Sequence, residues 1–122
     1  MSEISVAVVD DDRSLQQALV CLLEASNFAA TGFDSAEAFL GSTHFNTTDC
    51  LITDIQMSGM NGFELKEAIT LRRRTFPVII MTALQMSSGL LPADAADPVC
   101  ILSKPFESEQ LLECLERVFS RS

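Results

Sequence analysis

The sequence predicts an α/β fold in which a parallel sheet is covered by helices on both faces, and three observations carry that expectation. Short apolar runs alternate with segments of helical periodicity along the whole chain, giving five βα units. Residues 4–9 form a nearly continuous apolar, β-branched run, as expected of a strand buried on both faces. Finally, three runs stop at charged residues. Val6-Ala7-Val8-Val9 ends at Asp10-Asp11-Asp12, Leu51-Ile52-Thr53 ends at Asp54, and Val99-Cys100-Ile101-Leu102 ends at Ser103-Lys104-Pro105. Parallel strands bring such tips to one edge, where open α/β sheets place their chemistry.

Length and composition bound the rest. The 122 residues suit one domain, residues 1–122, with one core; a chain this size buries about 65–70% of its unfolded surface without staples. Hydrophobic residues make up 48%, yet no apolar run approaches the ~18 residues of a membrane span, so a soluble globular protein is expected. Met1-Ser2-Glu3-Ile4 has no basic flank leading into an apolar region, which gives no secretory signal and makes the cytoplasm the expected compartment. A net charge of −9 argues against direct nucleic-acid binding. Cys21, Cys50, Cys100 and Cys114 are scattered without a CxxC and are expected to be reduced, buried small hydrophobes. The basic run Arg72-Arg73-Arg74 fits the solvated last turn of a helix.

Taken in order, the first strand passes through Asp12, a helix cap, into Leu15, Ala18, Leu19, Leu22 and Leu23 at helical spacing. Residues 28–33 predict the second strand. Asp34 followed by Glu37 resembles a capping box for a helix through Ala38, Phe39 and Leu40, closed by Gly41. Residues 44–49 are polar and predict a loop in which His44, the sole histidine, is solvated. The third strand ends at Asp54, and Asn61 with Glu64 caps a helix whose buried stripe is Leu65, Ala68 and Ile69. Pro77-Val78-Ile79-Ile80-Met81 predicts the fourth strand, with Thr82 at its tip. Gly89 and Pro92 predict a short or broken helix over residues 84–97, because proline inside a helix costs about 3 kcal/mol. The last strand follows, and Leu111, Leu112, Leu115, Val118 and Phe119 predict a closing amphipathic helix.

Gathering Asp10, Asp11 and Asp54 is unfavourable by itself, since two unit charges at 4 Å repel by about 4 kcal/mol at an effective dielectric near 20. A cation must sit among them. Oxygen-only ligands suit Mg²⁺, which takes one or two carboxylates and leaves positions for water and phosphate oxygens. Lys104 adds a point charge able to pair with a carboxylate or a phosphoryl oxygen, and Thr82 adds a hydroxyl donor. The set fits phosphoryl transfer onto Asp54 as a carboxylate nucleophile. Singly, each acid could be a helix cap; jointly, the four strand tips point to chemistry.

The motifs Val8-Val9-Asp10-Asp11-Asp12, Leu51-Ile52-Thr53-Asp54-Ile55-Gln56-Met57, Gly62, Ile79-Ile80-Met81-Thr82-Ala83 and Lys104-Pro105-Phe106 resemble those of the receiver domain of two-component response regulators, the CheY-like family. The resemblance covers essentially the whole chain. It implies a flavodoxin-like (βα)5 fold with strand order 2-1-3-4-5. It also implies that Asp54 takes phosphate from a histidine kinase or phosphotransfer protein and that the domain then switches a downstream effector. Mg²⁺ would be held by Asp11, Asp54 and the Gln56 carbonyl, with Asp10 acting through a metal-bound water. Thr82 and Lys104 would contact the phosphoryl group, and the Lys104-Pro105 peptide would be cis. Such a domain is a monomer or a phosphorylation-dependent dimer, works away from membranes, and catalyses only its own phosphorylation and dephosphorylation. The stretch from Gly32-Phe33-Asp34-Ser35 to Ala38-Phe39-Leu40 resembles receivers of the FixJ type.

Several positions depart from the family pattern. Ser58 stands where proline is usual, Asn61 where aspartate is common, Ile101 where an aromatic usually couples to Thr82, and Ala96-Asp97-Pro98 replaces the usual turn. The input chemistry is intact and the output side altered, so the expected switch is a change of order over residues 84–102. The alternative is a receiver-like interaction domain that no longer depends on phosphorylation. A Mg²⁺-dependent phosphatase is disfavoured, because Gln56 occupies the place of its second aspartate.

Overall fold

Strands β1 (Ser5–Val9), β2 (Ala29–Phe33), β3 (Cys50–Asp54), β4 (Val78–Thr82) and β5 (Cys100–Ser103) form one parallel sheet in the order β2-β1-β3-β4-β5. This is the flavodoxin-like arrangement expected. The computed structural model describes residues 4–55, 59–72, 76–82, 100–104 and 107–120. Its helices are α1 (Arg13–Ala25), α2 (Ala36–Leu40), α3 (Gly62–Leu71) and α4 (Ser108–Ser120), with a 3-10 turn at Thr43–Thr47. The helix expected over residues 84–97 and the altered turn before β5 lie outside the described residues, as do Arg73 and Arg74.

Alternation along the strands divides the core into two layers. Val6 and Val8, with Ile52, Ile79, Met81 and Leu102, face α1 and α4 through Leu19, Leu23, Leu111 and Leu115. Ala7 and Val9, with Leu51 and Ile80, face α2 and α3 through Phe39, Leu65 and Ile69. The three central strands are buried on both faces, which is why they read as apolar runs. By contrast, β2 is half-buried throughout, as an edge strand with less cover.

The caps follow local chemistry. Asp12 accepts the backbone N–H of Leu15 at the start of α1. Asn61 and Glu64 complete a reciprocal capping box on α3. At α2 the expected box is corrected: Ser35, not Asp34, is the cap and accepts the Ala38 N–H. Asp34 is drawn off by Arg13, whose Nη2 lies 2.5 Å from its Oδ2.

Residues 44–49, expected as a polar loop, include part of the 3-10 turn that buries Phe45 edge-on against Phe39 and Phe76. His44 is exposed as expected. Three of the four cysteines also need correction, Cys50 alone being free and buried as expected. Cys50 is buried, and that burial pushes its thiol up to about 12. Cys21 is exposed, and Cys100 and Cys114 are joined by a disulfide. The pair had no sequence signature because strand-to-helix packing brings the two together.

Candidate functional site at the strand ends

Asp10 leaves β1 with its backbone N–H still donating to the Phe33 carbonyl at 3.1 Å, so sheet pairing fixes the residue. Its side chain is wholly inside, at 0% exposure. Oδ1 accepts the Asp12 N–H at 2.8 Å, and Oδ2 accepts from Lys104 Nζ at 3.3 Å. Asp54 closes β3 and is 8% exposed. Its Oδ2 accepts from Lys104 Nζ at 2.9 Å. The next residue is held by both of its backbone polar groups: Ile55 N–H donates to the Met81 carbonyl at 2.9 Å, and the Ile55 carbonyl accepts from Gly62 N–H at 3.1 Å.

Lys104 follows β5 directly. Its backbone N–H donates to the Thr82 carbonyl at 2.7 Å, which ties the fourth and fifth strand tips together. Thr82 itself is fully buried. Carboxylate oxygens of Asp10, Asp11 and Asp54 all lie within 4.8 Å of one another, with Asp11 on the solvent side. The structure therefore brings Asp10, Asp11, Asp54 and Lys104 together, with Thr82 linked to Lys104 through its backbone carbonyl. Gln56, whose carbonyl was expected to bind metal, and Pro105 lie outside the described residues.

The electrostatics follow from this crowding. Burial raises the Asp10 carboxyl, helped by the charge of Asp54, while the Asp12 N–H and Lys104 pull the other way. Burial alone would lower Lys104, but its bond to Asp54 and the charges of both carboxylates outweigh that and raise it. One ammonium thus serves two acids, with a third beside them. Three hard oxygen donors around a shared centre fit a divalent cation that keeps some of its water, and Mg²⁺ has that chemistry.

Gln16 is the residue that sequence reading missed. It lies on the buried stripe of α1 with Leu19 and Leu23. Its Nε2 reaches the Asp10 carbonyl at 3.0 Å, the Phe33 carbonyl at 2.9 Å and Asp34 Oδ1 at 3.0 Å. Two hydrogens serve three acceptors that belong to the exits of β1 and β2. The signal was present in the spacing, since a polar residue three and seven positions before buried leucines falls on the core face.

This arrangement defines a class: doubly wound α/β domains with an acidic pocket and a lysine at the carboxyl edge of the sheet. Residues 6–116 match the family described as the response regulator receiver domain, and the chain belongs to that family. It is 32% identical over 111 residues to the transcriptional regulatory protein FixJ of Bradyrhizobium diazoefficiens, covering 91% of this chain and 54% of that one. The chain thus spans about half the length of that curated relative. Among solved structures, the FixJ-N crystal structure superposes with a TM-score of 0.83 at 28% identity, covering 100% of this chain and 98% of that one. The response regulator StyR superposes with a TM-score of 0.87 at 33% identity, covering 98% and 60%. No described helix is long and apolar enough to cross a membrane.

Proposed function

We propose that this domain accepts a phosphoryl group on Asp54 from a histidine kinase or a phosphotransfer protein, and that the modified domain changes its binding to a downstream effector. The observation that carries the reading is the Lys104 ammonium between Asp54 and Asp10, at 2.9 and 3.3 Å. An ammonium already paired with the carboxylate is placed to turn to a phosphoryl oxygen once that carboxylate is phosphorylated and its own charge is gone. Asp11, Asp54 and the Gln56 carbonyl would hold Mg²⁺, and Asp10 would act through one of its waters. Bound there, the ion supplies neutralisation of the charge on the transferring group.

In the transfer, an Asp54 oxygen attacks phosphorus, the bond from phosphorus to the donor histidine breaks, and an acyl phosphate remains. Lys104 then turns to the phosphoryl oxygens, and the Thr82 hydroxyl, on the neighbouring strand tip, donates to another. Chemistry ends with the domain's own phosphorylation and dephosphorylation. The expected setting is the cytoplasm, where kinases of this type deliver phosphate. The FixJ relative is named as a transcriptional regulator, so an effector that acts on transcription is the leading output. As expected from the charge of −9, this domain would not itself hold nucleic acid.

Incubation with acetyl phosphate and Mg²⁺, read by intact mass, tests the reading. One phosphoryl adduct that depends on Mg²⁺ and is lost in Asp54→Asn is the expected result. Absence of any adduct with the folded protein would instead leave the phosphate-independent interaction domain.

A further inference from the structure

The disulfide between Cys100 and Cys114 is unaccounted for by the site chemistry, and its position is informative. Cys100 opens β5 and Cys114 sits midway along α4, both buried. The bond closes a stretch of sequence separation 14, and Lys104 lies inside that stretch. Arg117, one turn beyond Cys114, directs Nη1 at Cys100 Sγ from 3.6 Å. We infer that Cys100 and Cys114 form a redox-responsive dithiol site, exchanging with small disulfides and thiols, that tunes the phosphoryl site by tethering the segment carrying Lys104. The tuning rests on the proposed role of Asp54; the redox site does not.

Three observations support exchange over a permanent staple. A cation beside Cys100 Sγ stabilises that sulfur as thiolate, making it the better leaving group. The domain already has a two-layer apolar core and needs no covalent brace of the kind small secreted folds require. In the proposed cytoplasmic setting, disulfides are characteristically transient or redox-sensing.

The chemistry balances with a disulfide of the oxidised-glutathione class as oxidant. Both protein thiols lose a proton, the S–S bond forms, and the oxidant takes up two electrons and two protons to become two thiols. In the reverse direction, a small thiolate attacks Cys114 Sγ, the protein S–S bond breaks, and Cys100 leaves as thiolate against Arg117. A second small thiol then releases Cys114. Because both sulfurs are buried, each exchange needs α4 to part briefly from β5.

The tether has a direct route to the site. Residues 100–103 pair with β4 up to Thr82, and the Lys104 N–H bonds the Thr82 carbonyl. Fixing the start of β5 to α4 restricts how far this strand end can shift, and Lys104 Nζ with it.

The experiment equilibrates the whole chain in reduced or oxidised glutathione, quenches with acid, and counts alkylated cysteines after denaturation. The exposed Cys21 takes up glutathione itself, so the count is taken at Cys100 and Cys114 by peptide mass: none alkylated and the two linked to each other in the oxidised sample, both alkylated in the reduced sample. Both alkylated in the two samples, or neither in the two, overturns the redox site. On the same samples, amide exchange at Lys104 should be about three- to tenfold slower when oxidised, and adduct formation from acetyl phosphate should change by a similar factor. Neither should respond to redox state in Cys100→Ala/Cys114→Ala, and equal exchange in both states of the natural sequence would overturn the tether. A missing adduct in both states would count against Asp54 as acceptor, while the alkylation count and the Lys104 amide would still decide this inference.

Discussion

The Gln16 carboxamide occupies the space that a Cβ on Gly32 would need, so a helix side chain replaces the missing side chain of the edge strand. The same carboxamide reaches the Asp10 and Phe33 carbonyls, making this pair the joint between α1 and the two strand exits beside the acidic pocket.

Gly32→Ala should therefore destabilise the domain by about 1–3 kcal/mol, the usual cost of forcing extra volume into a packed site. Gln16→Ala should also destabilise, by leaving buried carbonyls short of a donor. Combining the two should recover part of the loss, because the shortened side chain makes room for the new methyl. Urea unfolding of all four proteins gives the coupling, and simple additivity would show that the two residues do not share this space.

If the proposed Mg²⁺ site is right, Asp10 should act in opposite directions on folding and on ion binding. Its folded carboxyl titrates above 3.8, so the native state holds the proton more tightly than the unfolded chain does, and the stability this gives at low pH is lost as pH rises through the folded value. In chelator at neutral pH, Asp10→Asn should therefore raise the unfolding midpoint, and the gain should vanish on acidification. Mg²⁺ affinity should fall by about 10- to 100-fold, as expected when a group holding a metal-bound water is neutralised. Thermal melts across pH with and without Mg²⁺ check both signs.

Gly62 opens α3 against the peptide that follows the candidate acceptor. A Cβ there would stand 2.8 Å from the Asp54 carbonyl oxygen and 3.2 Å from Ile55 Cα, both backbone atoms that cannot rotate away. Gly62→Ala should cost about 1–3 kcal/mol and slow adduct formation on Asp54, because the displaced peptide is the one that aims the carboxylate. Chemical unfolding and acetyl phosphate kinetics measured on one preparation would separate the two effects.

The α3 capping box offers a contrasting substitution farther from the acids. Asn61→Ala removes the acceptor for the Glu64 N–H at 2.8 Å and should cost about 1 kcal/mol of stability. Guanidinium unfolding reads the loss directly, and a change below a few tenths would mean that water caps the helix equally well.

The strands and the cluster of residues at their tips were legible because each rests on a local pattern. Continuous apolar runs mark β1, β3 and β4, while Asp10, Asp54, Thr82 and Lys104 each stand where such a run stops. What was not legible depended on partners distant in sequence. Asp34 has the right spacing for a cap, but Arg13, 21 residues earlier, wins it with a charge-assisted bond. That pairing, with help from Gln16, holds the Asp34 carboxyl below its usual range. Phe45 reads as a loop residue until Phe39 and Phe76 are seen around it. Cys100 and Cys114 carry no spacing signature, because only the packing of α4 on β5 joins them.

The bond from Lys104 to Asp10 spans 94 residues of sequence. During synthesis the acids therefore wait without their lysine until residue 104 has been added and β5 has docked beside β4. Until then the carboxylates repel one another with no ammonium between them, and the pocket is completed in a single step.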